Sequence, residues 1–270
     1  MPALEATPPG MNTAVPPAVD GRSVPTLAPS PAFSVVIPCY NERDNIVALA
    51  REVRAACGEG DYEIVIVDDC SSDDSLARLR AAQGEFDGRL RVVHHGTNSG
   101  QSAAICTGVD FARGRAIVTL DGDGQNDPAD IPRLLAVLQQ AEAETPLIVC
   151  GHRRRRRDSF VRRLSSKVAN AVRAAALQDA TPDTGCGLKA FARDLFMRLP
   201  RFDHMHRFLP ALVQRAGGRS VSVEVHHRPR LHGQSKYGIG NRLWVGIVDL
   251  FGLMWLIRRR FKPSRNEEVR

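Results

Sequence analysis

The sequence predicts an α/β protein, a mostly parallel sheet with helices on both faces. Three observations predict it. Short apolar runs alternate with helical patterns at the spacing of β-α-β units. The polar segments "CYNERD", "DDCSSDD", "NSGQS" and "DGDGQND" each follow one of those runs, at the edge where such sheets bind ligands. The chain has 270 residues, 43% of them apolar, enough for one substantial core.

The elements read in order from Phe33. "FSVVIP" is a buried strand, and "NERDNIVALAREVRAAC" puts Ile46, Leu49, Ala50 and Val53 on one helical face with Asn41 as N-cap. "YEIVIV" is the second strand, followed by "DDCSSDDSLARLRAA", a Ser-capped helix carrying Leu76 and Leu79. "LRVVHH" is the third strand, and "NSGQSAAICTGVDFARG" is a helix of small residues suited to close packing. "RAIVTL" is the fourth strand. A helix over 129–141 starts beside Pro128 and buries Ile131, Leu134, Leu135 and Leu138, and "PLIVC" is the fifth strand.

Beyond residue 150 the pattern changes. A basic amphipathic helix, "SFVRRLSSKVANAVRAAALQ", precedes a Gly-rich turn and the mixed segment "FMRLPRFDHMHRFLPALVQRAG". "SVSVEV" alternates Val221, Val223 and Val225 as a strand. The apolar run 243–257 has 15 residues and contains Asp249, short of the roughly 20 that span a bilayer. Trp244 and Trp255 near its ends, with Arg258 to Arg260 behind, suit a helix lying in a membrane interface; packing on the domain core is the other reading. Residues 1–32, crowded with Pro, Ala, Ser and Thr, read as a disordered leader without a secretory pattern. The expected division is therefore a leader (1–32), an α/β domain (33–240), and an amphipathic helix with a basic tail (241–270).

The net charge is +7, concentrated in 151–167 and 258–265. Nucleic acid, an acidic membrane surface and a phosphorylated substrate all suit such a balance. Nucleic acid is disfavoured, because aromatics are 6% of the chain and Phe160 alone interrupts the arginines. Six dispersed cysteines show no C-x-x-C pair, which fits buried free thiols rather than a zinc site.

Asp121, Asp123 and Gln125 leave the fourth strand at alternate positions and offer oxygen ligands suited to a hard cation such as Mg2+. The bland alternative is a solvated turn with cap residues. A calcium hand would need Gly and Glu where Asn126 and Pro132 stand. An aspartyl-phosphate hydrolase places its paired aspartates after the first strand. "GCGLKA" matches a dinucleotide fingerprint, but "ATPDT" before it is no strand. Asp68 and Asp69 end the second strand, either as turn caps or as partners of a ribose hydroxyl. Arg153 to Arg157, Arg162, Arg163 and Lys167 form a cationic strip, or an ordinary solvated face. "RLHGQSKYG" adds Arg230 and Lys236 around a glycine, as a phosphate-gripping loop would. His204 and His206 read as packing or hydrogen-bonding residues rather than metal ligands.

Across residues 33–258 the chain resembles the family 2 glycosyltransferases of the GT-A fold, within them the dolichol-phosphate mannose synthase and bacterial polyprenyl-phosphate glycosyltransferase group. Seven motifs carry the resemblance in order: "VVIPCYNERDNI", "IVIVDDCSSDDS", "NSGQSAAICTG", "TLDGDGQNDP", "CGHRRRRRDSFVRRLSSK", "DTGCGLKAF" and "RLHGQSKY". The arginine-rich motif and "DTGCGLKAF" are similar to those of the undecaprenyl-phosphate aminoarabinose-type transferases. The resemblance implies that Pro38, Tyr40 and Glu42 line the nucleotide base and that Asp68 or Asp69 completes the nucleoside pocket. It places Asp121, Gly122, Asp123 and Gln125 at the Mg2+ or Mn2+ and diphosphate, with Arg153, Arg162 and Ser166 on the acceptor phosphate and Arg230 and Lys236 closing over the donor. Two features depart from the pattern: Gly124 stands where a Leu is usual, and the paired C-terminal transmembrane helices of many relatives are missing.

The expected reaction is inverting transfer of a sugar from a nucleoside-diphosphate sugar, UDP before GDP, to a polyprenyl phosphate such as undecaprenyl phosphate. A phosphate monoester has its second pKa near ~6, so the acceptor is a dianion at neutral pH and needs no strong general base. The expected location is the cytoplasmic face of the membrane, held peripherally on its anionic surface. A transferase acting on a saccharide hydroxyl is the nearest rival; it would need a carboxylate base, and Asp183 is the candidate.

Overall fold

The structure, a computed structural model, describes residues 30–140, 145–153, 181–229 and 239–259. Its strands are β1 (Phe33–Cys39), β2 (Tyr62–Asp68), β3 (Leu90–His94), β4 (Ala116–Thr119), β5 (Leu147–His152), β6 (Lys189–Ala192) and β7 (Arg219–Glu224). They form one sheet in the order β3-β2-β1-β4-β6-β5-β7, parallel throughout except for β6, which runs antiparallel to both neighbours. The α/β expectation holds.

The described helices are α1 (Ile46–Cys57), α2 (Ser75–Ala82), α3 (Gln101–Phe111), α4 (Ile131–Gln139), α5 (Arg193–Met197), α6 (Leu209–Arg215) and α7 (Ile239–Arg258). Alternation along each strand sends successive side chains to opposite faces and builds two cores. Val35, Ile37, Ile64, Ile66 and Val118 meet Ile46, Leu49, Val53, Leu79 and Leu134 of α1, α2 and α4. Val36, Val65, Val67, Ile117 and Ile148 meet Ala104, Val109, Phe196, Leu212 and Leu253 of α3, α5, α6 and α7. Burying roughly 25 cal/mol per Å² of apolar surface on both faces makes the sheet the stable centre of the molecule.

Several local expectations are corrected. Asn41 caps no helix: at φ 52° its carboxamide oxygen accepts from the Ser72 and Asp73 amides at 2.7 and 3.3 Å, tying the β1 exit to the β2 exit. Helix α1 begins later, after Asn45. The start of α2 is held by Asp73, whose Oδ1 accepts from the Ser75 amide at 2.9 Å. The 129–141 helix divides into a short 3-10 turn, Pro128–Asp130, and α4. The Gly-rich turn leads directly into strand β6, which the sequence reading had not assigned. The basic helix read over 159–178 lies outside the described residues.

The run 243–257 belongs to the 20-residue helix α7. Leu253 is buried, and Leu250, Met254, Leu256 and Ile257 pack against the second core, whereas Val248, Phe251 and Trp255 are exposed. Asp249 is explained by His204, whose Nδ1 lies 3.1 Å from its carboxylate. No described helix is long and apolar enough to cross a membrane. All six cysteines are free, and burial beside Asp68 and Glu42 pushes the Cys39 thiol up to about 12.

Candidate active site

The chain travels outward from β1 through β2 to β3, then returns to β4 on the other side of β1. That reversal opens a crevice beyond the carboxyl ends of β1 and β4, the place where doubly wound sheets take ligands. Gly122 sits in it so closely that a Cβ there would lie 2.7 Å from the Pro38 carbonyl oxygen. Because β6 is antiparallel and Lys189 pairs with Thr119, the "GCGLK" turn arrives at this same edge. Arg153 after β5 and residues 225–229 after β7 arrive there as well.

Asp121, half-buried, follows β4 at this edge. Gln101, at the start of α3, donates from Nε2 to its Oδ1 at 2.8 Å. A Cβ on Gly187 would stand 2.2 Å from Oδ2, so only glycine fits against this carboxylate. Burial first, then the Asp123 carboxylate, push the Asp121 carboxyl up to about 6, against the pull of Lys189, Arg153 and Gln101. Asp123 turns the loop by accepting the Gln125 amide at 3.1 Å, and Gly124 takes φ +72°. Two carboxylates and a carboxamide are hard oxygen donors, and a buried carboxyl with raised proton affinity beside a second one is an anionic site short of positive charge. These residues fit a divalent cation. Among the described residues no group of three or more His, Cys, Asp or Glu side chains has metal-holding geometry.

At the β1 exit, Pro38 is half-buried and Tyr40 exposed, while the Glu42 carboxylate accepts from Asn45 Nδ2 at 2.8 Å. Asp68 and Asp69 are both held by hydrogen bonds at the β2 exit. Both oxygens of Asp69 are engaged, by the Ser99 amide at 2.9 Å, the Gly100 amide at 2.8 Å and the His95 ring at 2.7 Å. Asp69 thus shapes the loop before α3 rather than presenting an open oxygen. Asp68 is fully buried, with Oδ2 at 2.8 Å from His94 Nδ1 and Oδ1 unpartnered.

Arg153 is present at the edge, but its guanidinium is held in a fork by Asp183, with Nε and one terminal nitrogen at 2.7 and 2.8 Å. Asp183, the candidate base, therefore has both oxygens accepting hydrogen bonds from Arg153. Arg162, Ser166, Arg230 and Lys236 lie outside the described residues. His206 hydrogen-bonds Ser102 at 2.7 Å, and burial, with Lys189 nearby, drops its pKa to about 3. The reading of both histidines as packing and hydrogen-bonding residues agrees with this geometry.

Sequence reasoning missed Gln101, Gly187, Lys189 and Arg228. Lys189 is buried and donates to the Cys186 carbonyl, adding positive charge beneath Asp121. A buried lysine opening a short apolar strand was the available signal, and it becomes visible only once β6 is known to reverse.

The chain matches the model of glycosyl transferase family 2 over residues 34–199. It belongs to that family. The transferase is 36% identical over 237 residues to the dodecaprenyl-phosphate galacturonate synthase of Rhizobium johnstonii, covering 86% of this chain and 69% of that one. It is 37% identical over 208 residues to the undecaprenyl-phosphate 4-deoxy-4-formamido-L-arabinose transferase of Aeromonas hydrophila, covering 76% and 63%. The transferase thus spans 63–69% of the length of these curated relatives. Its fold is similar to the glucosyl-3-phosphoglycerate synthase of Mycobacterium tuberculosis crystallised with Mn2+, uridine diphosphate and glucosyl-3-phosphoglycerate, at TM-score 0.61 and 21% identity over 87% of this chain and 81% of that one.

Proposed function

We propose that this glycosyltransferase moves a sugar from a nucleoside-diphosphate sugar, with UDP the first donor to test, onto the phosphate of a polyprenyl carrier such as undecaprenyl phosphate. The observation that carries the reading is the 36–37% identity to relatives named as a dodecaprenyl-phosphate galacturonate synthase and an undecaprenyl-phosphate 4-deoxy-4-formamido-L-arabinose transferase. A membrane-bound lipid substrate suits a peripheral enzyme on an anionic, cytoplasmic membrane face.

The acceptor oxygen attacks the anomeric carbon as the bond to the diphosphate breaks, and the nucleoside diphosphate leaves with the electron pair. A phosphate dianion needs no proton removed, which fits a site whose candidate base, Asp183, is occupied in orienting Arg153. Arg153, fixed in this way, places a cation for the incoming phosphate, with Arg162 and Ser166 proposed alongside it. Asp121, Asp123 and Gln125 would hold Mg2+ or Mn2+, which neutralises charge on the departing diphosphate. Gln101 orients Asp121, and Gly187 leaves the space that keeps this carboxylate against the turn. Gly122 lets the loop lie against the β1 backbone at Pro38, with Tyr40, Glu42, Asp68 and Asp69 proposed along the nucleoside side of the crevice and Arg230 and Lys236 proposed for the diphosphate.

The test is a panel of nucleotide sugars with Mn2+ or Mg2+ and undecaprenyl phosphate, read by the mass of the lipid product. Asp123→Ala should lower turnover by at least about a hundredfold, as expected when electrostatic stabilisation of a leaving group is lost. Glycosylation of a saccharide hydroxyl with prenyl phosphates left unused would overturn the acceptor assignment. Full activity in chelator would overturn the metal.

A further inference from the structure

The loop bearing Asp121 and Asp123 packs at its start, through Gly122 against Pro38 and Asp121 against Gly187, but opens at its middle. Gly124 takes φ +72°, and a Cβ there would meet nothing within 4 Å. Its far limb is fastened instead to the segment after β7. The Arg228 amide donates to the Gln125 carbonyl at 2.9 Å, and Asn126 forms an antiparallel bridge with His227. The His226 amide donates to Asp130 Oδ2 at 2.7 Å. The Arg228 guanidinium then spans two carboxylates, reaching Asp127 Oδ1 at 2.5 Å and Glu52 Oε2 of α1 at 2.6 Å. Asp127 Oδ1 also accepts the Ala129 amide at 3.0 Å, so one side chain joins the loop's end, α1 and the post-β7 segment.

We propose that Arg228 is a positioning residue, forming with Asp127 and Glu52 a clasp that holds the Asp121–Asp127 loop in the shape that receives a divalent cation. The inference rests on the metal reading of that loop given above. The side chains of Arg228, Glu52 and Asp127 are 35%, 44% and 20% exposed, a setting in which ion pairs add little to global stability. Their geometry therefore serves position. Without Arg228, Glu52 and Asp127 would be two like charges facing one opening, and a loop carrying Gly122 and Gly124 would have to be ordered by its ligand at an entropic cost. Arginine suits the place because its planar fork meets two carboxylates at once, which a single ammonium does less well.

The experiment compares the full chain with Arg228→Ala and Arg228→Lys by three measurements. Mn2+ affinity in the presence of UDP is read from the free-Mn2+ electron paramagnetic resonance signal, amide hydrogen exchange of residues 122–126 is read without metal, and thermal melting is recorded. Arg228→Ala should weaken Mn2+ binding roughly tenfold, the scale of a lost outer-shell partner. It should also speed exchange in 122–126 while leaving Tm nearly unchanged. Arg228→Lys should restore part of both. A lowered Tm with unchanged loop exchange and unchanged Mn2+ affinity would overturn the clasp, reducing Arg228 to a structural tie. If the unaltered chain failed to bind Mn2+ while Arg228→Ala still loosened the loop, the metal reading would fall and the clasp would stand.

Discussion

Asp121 shows how the site's chemistry is set against the stability of the fold. Its carboxyl is pushed up to about 6 by burial and by Asp123, from an ordinary value of 3.8. Between about pH 4 and 6 the folded chain keeps a proton that the unfolded chain releases, so metal-free stability falls as pH rises through that window and levels off above it. Asp121→Asn removes the buried charge while keeping an oxygen for Gln101. Without metal, that variant should be more stable than the parent at pH 7.5, by about 3 kcal/mol, and the two should converge at about pH 3.5, below the unfolded value. Urea unfolding in chelator at both pH values checks this; equal stability at pH 7.5 would show that the carboxylate is solvated. The aspartates themselves were legible, since two carboxylates leaving an apolar strand at alternate positions stand out in sequence. Their supports were not legible: Gln101 and Gly187 reach Asp121 from 20 and 66 positions away in the chain, and Asp183 becomes a partner of Arg153 only when β5 and β6 pair.

At the scale of elements, α3 is seated on the sheet through an absence of side chain. A Cβ on Gly108 would lie 2.3 Å from Val36 Cγ1 and 3.3 Å from Val67 Cγ2. Gly108→Ala gains up to about 1 kcal/mol of helix propensity, but overpacking typically costs 1–3 kcal/mol. Net destabilisation is expected because the clash is with strand residues that have neighbours on every side. Combining it with Val36→Ala should cost less than the two single changes added together, a coupling that chemical denaturation would measure. Strict additivity would show that α3 shifts freely instead. The small-residue composition of "NSGQSAAICTGVDFARG" made this close approach readable, and the helix bounds Gln101–Phe111 fall inside that segment. Strand β6 was not readable because four residues, "KAFA", carry too little alternation to distinguish a strand from a turn. The starts of α1 and α2 were misread for a related reason. Asn41 and Ser75 have cap-forming side chains, but Asn41 bonds across to the Ser72 amide and the Ser75 hydroxyl accepts the Glu42 amide, while the Ser75 amide is held locally by Asp73.

Across the whole molecule, α7 presents two apolar faces with different surroundings. Leu253 is 2% exposed in the second core, whereas Val248, Phe251 and Trp255, spaced to share one helical face, are 52%, 67% and 62% exposed. Sequence composition left interface and core as alternatives for this run; the geometry shows a packed face and an open apolar face on one helix. The two faces predict separable effects. Leu253→Ala should destabilise the domain by about 2–5 kcal/mol, the usual cost of emptying a core leucine site. Phe251→Ser combined with Trp255→Ser should leave melting nearly unchanged, since it removes no buried contact. The same pair should reduce cosedimentation with anionic phospholipid vesicles severalfold, because each ring withdraws apolar area from the interface while Arg258 and Arg259 keep their charge. Turnover of undecaprenyl phosphate in vesicles should then fall, with a short-chain, water-soluble prenyl phosphate used as before. Unchanged vesicle binding in the double variant would sink the membrane role of this face, and loss of activity on the soluble acceptor would mean that the exposed rings support the catalytic domain instead.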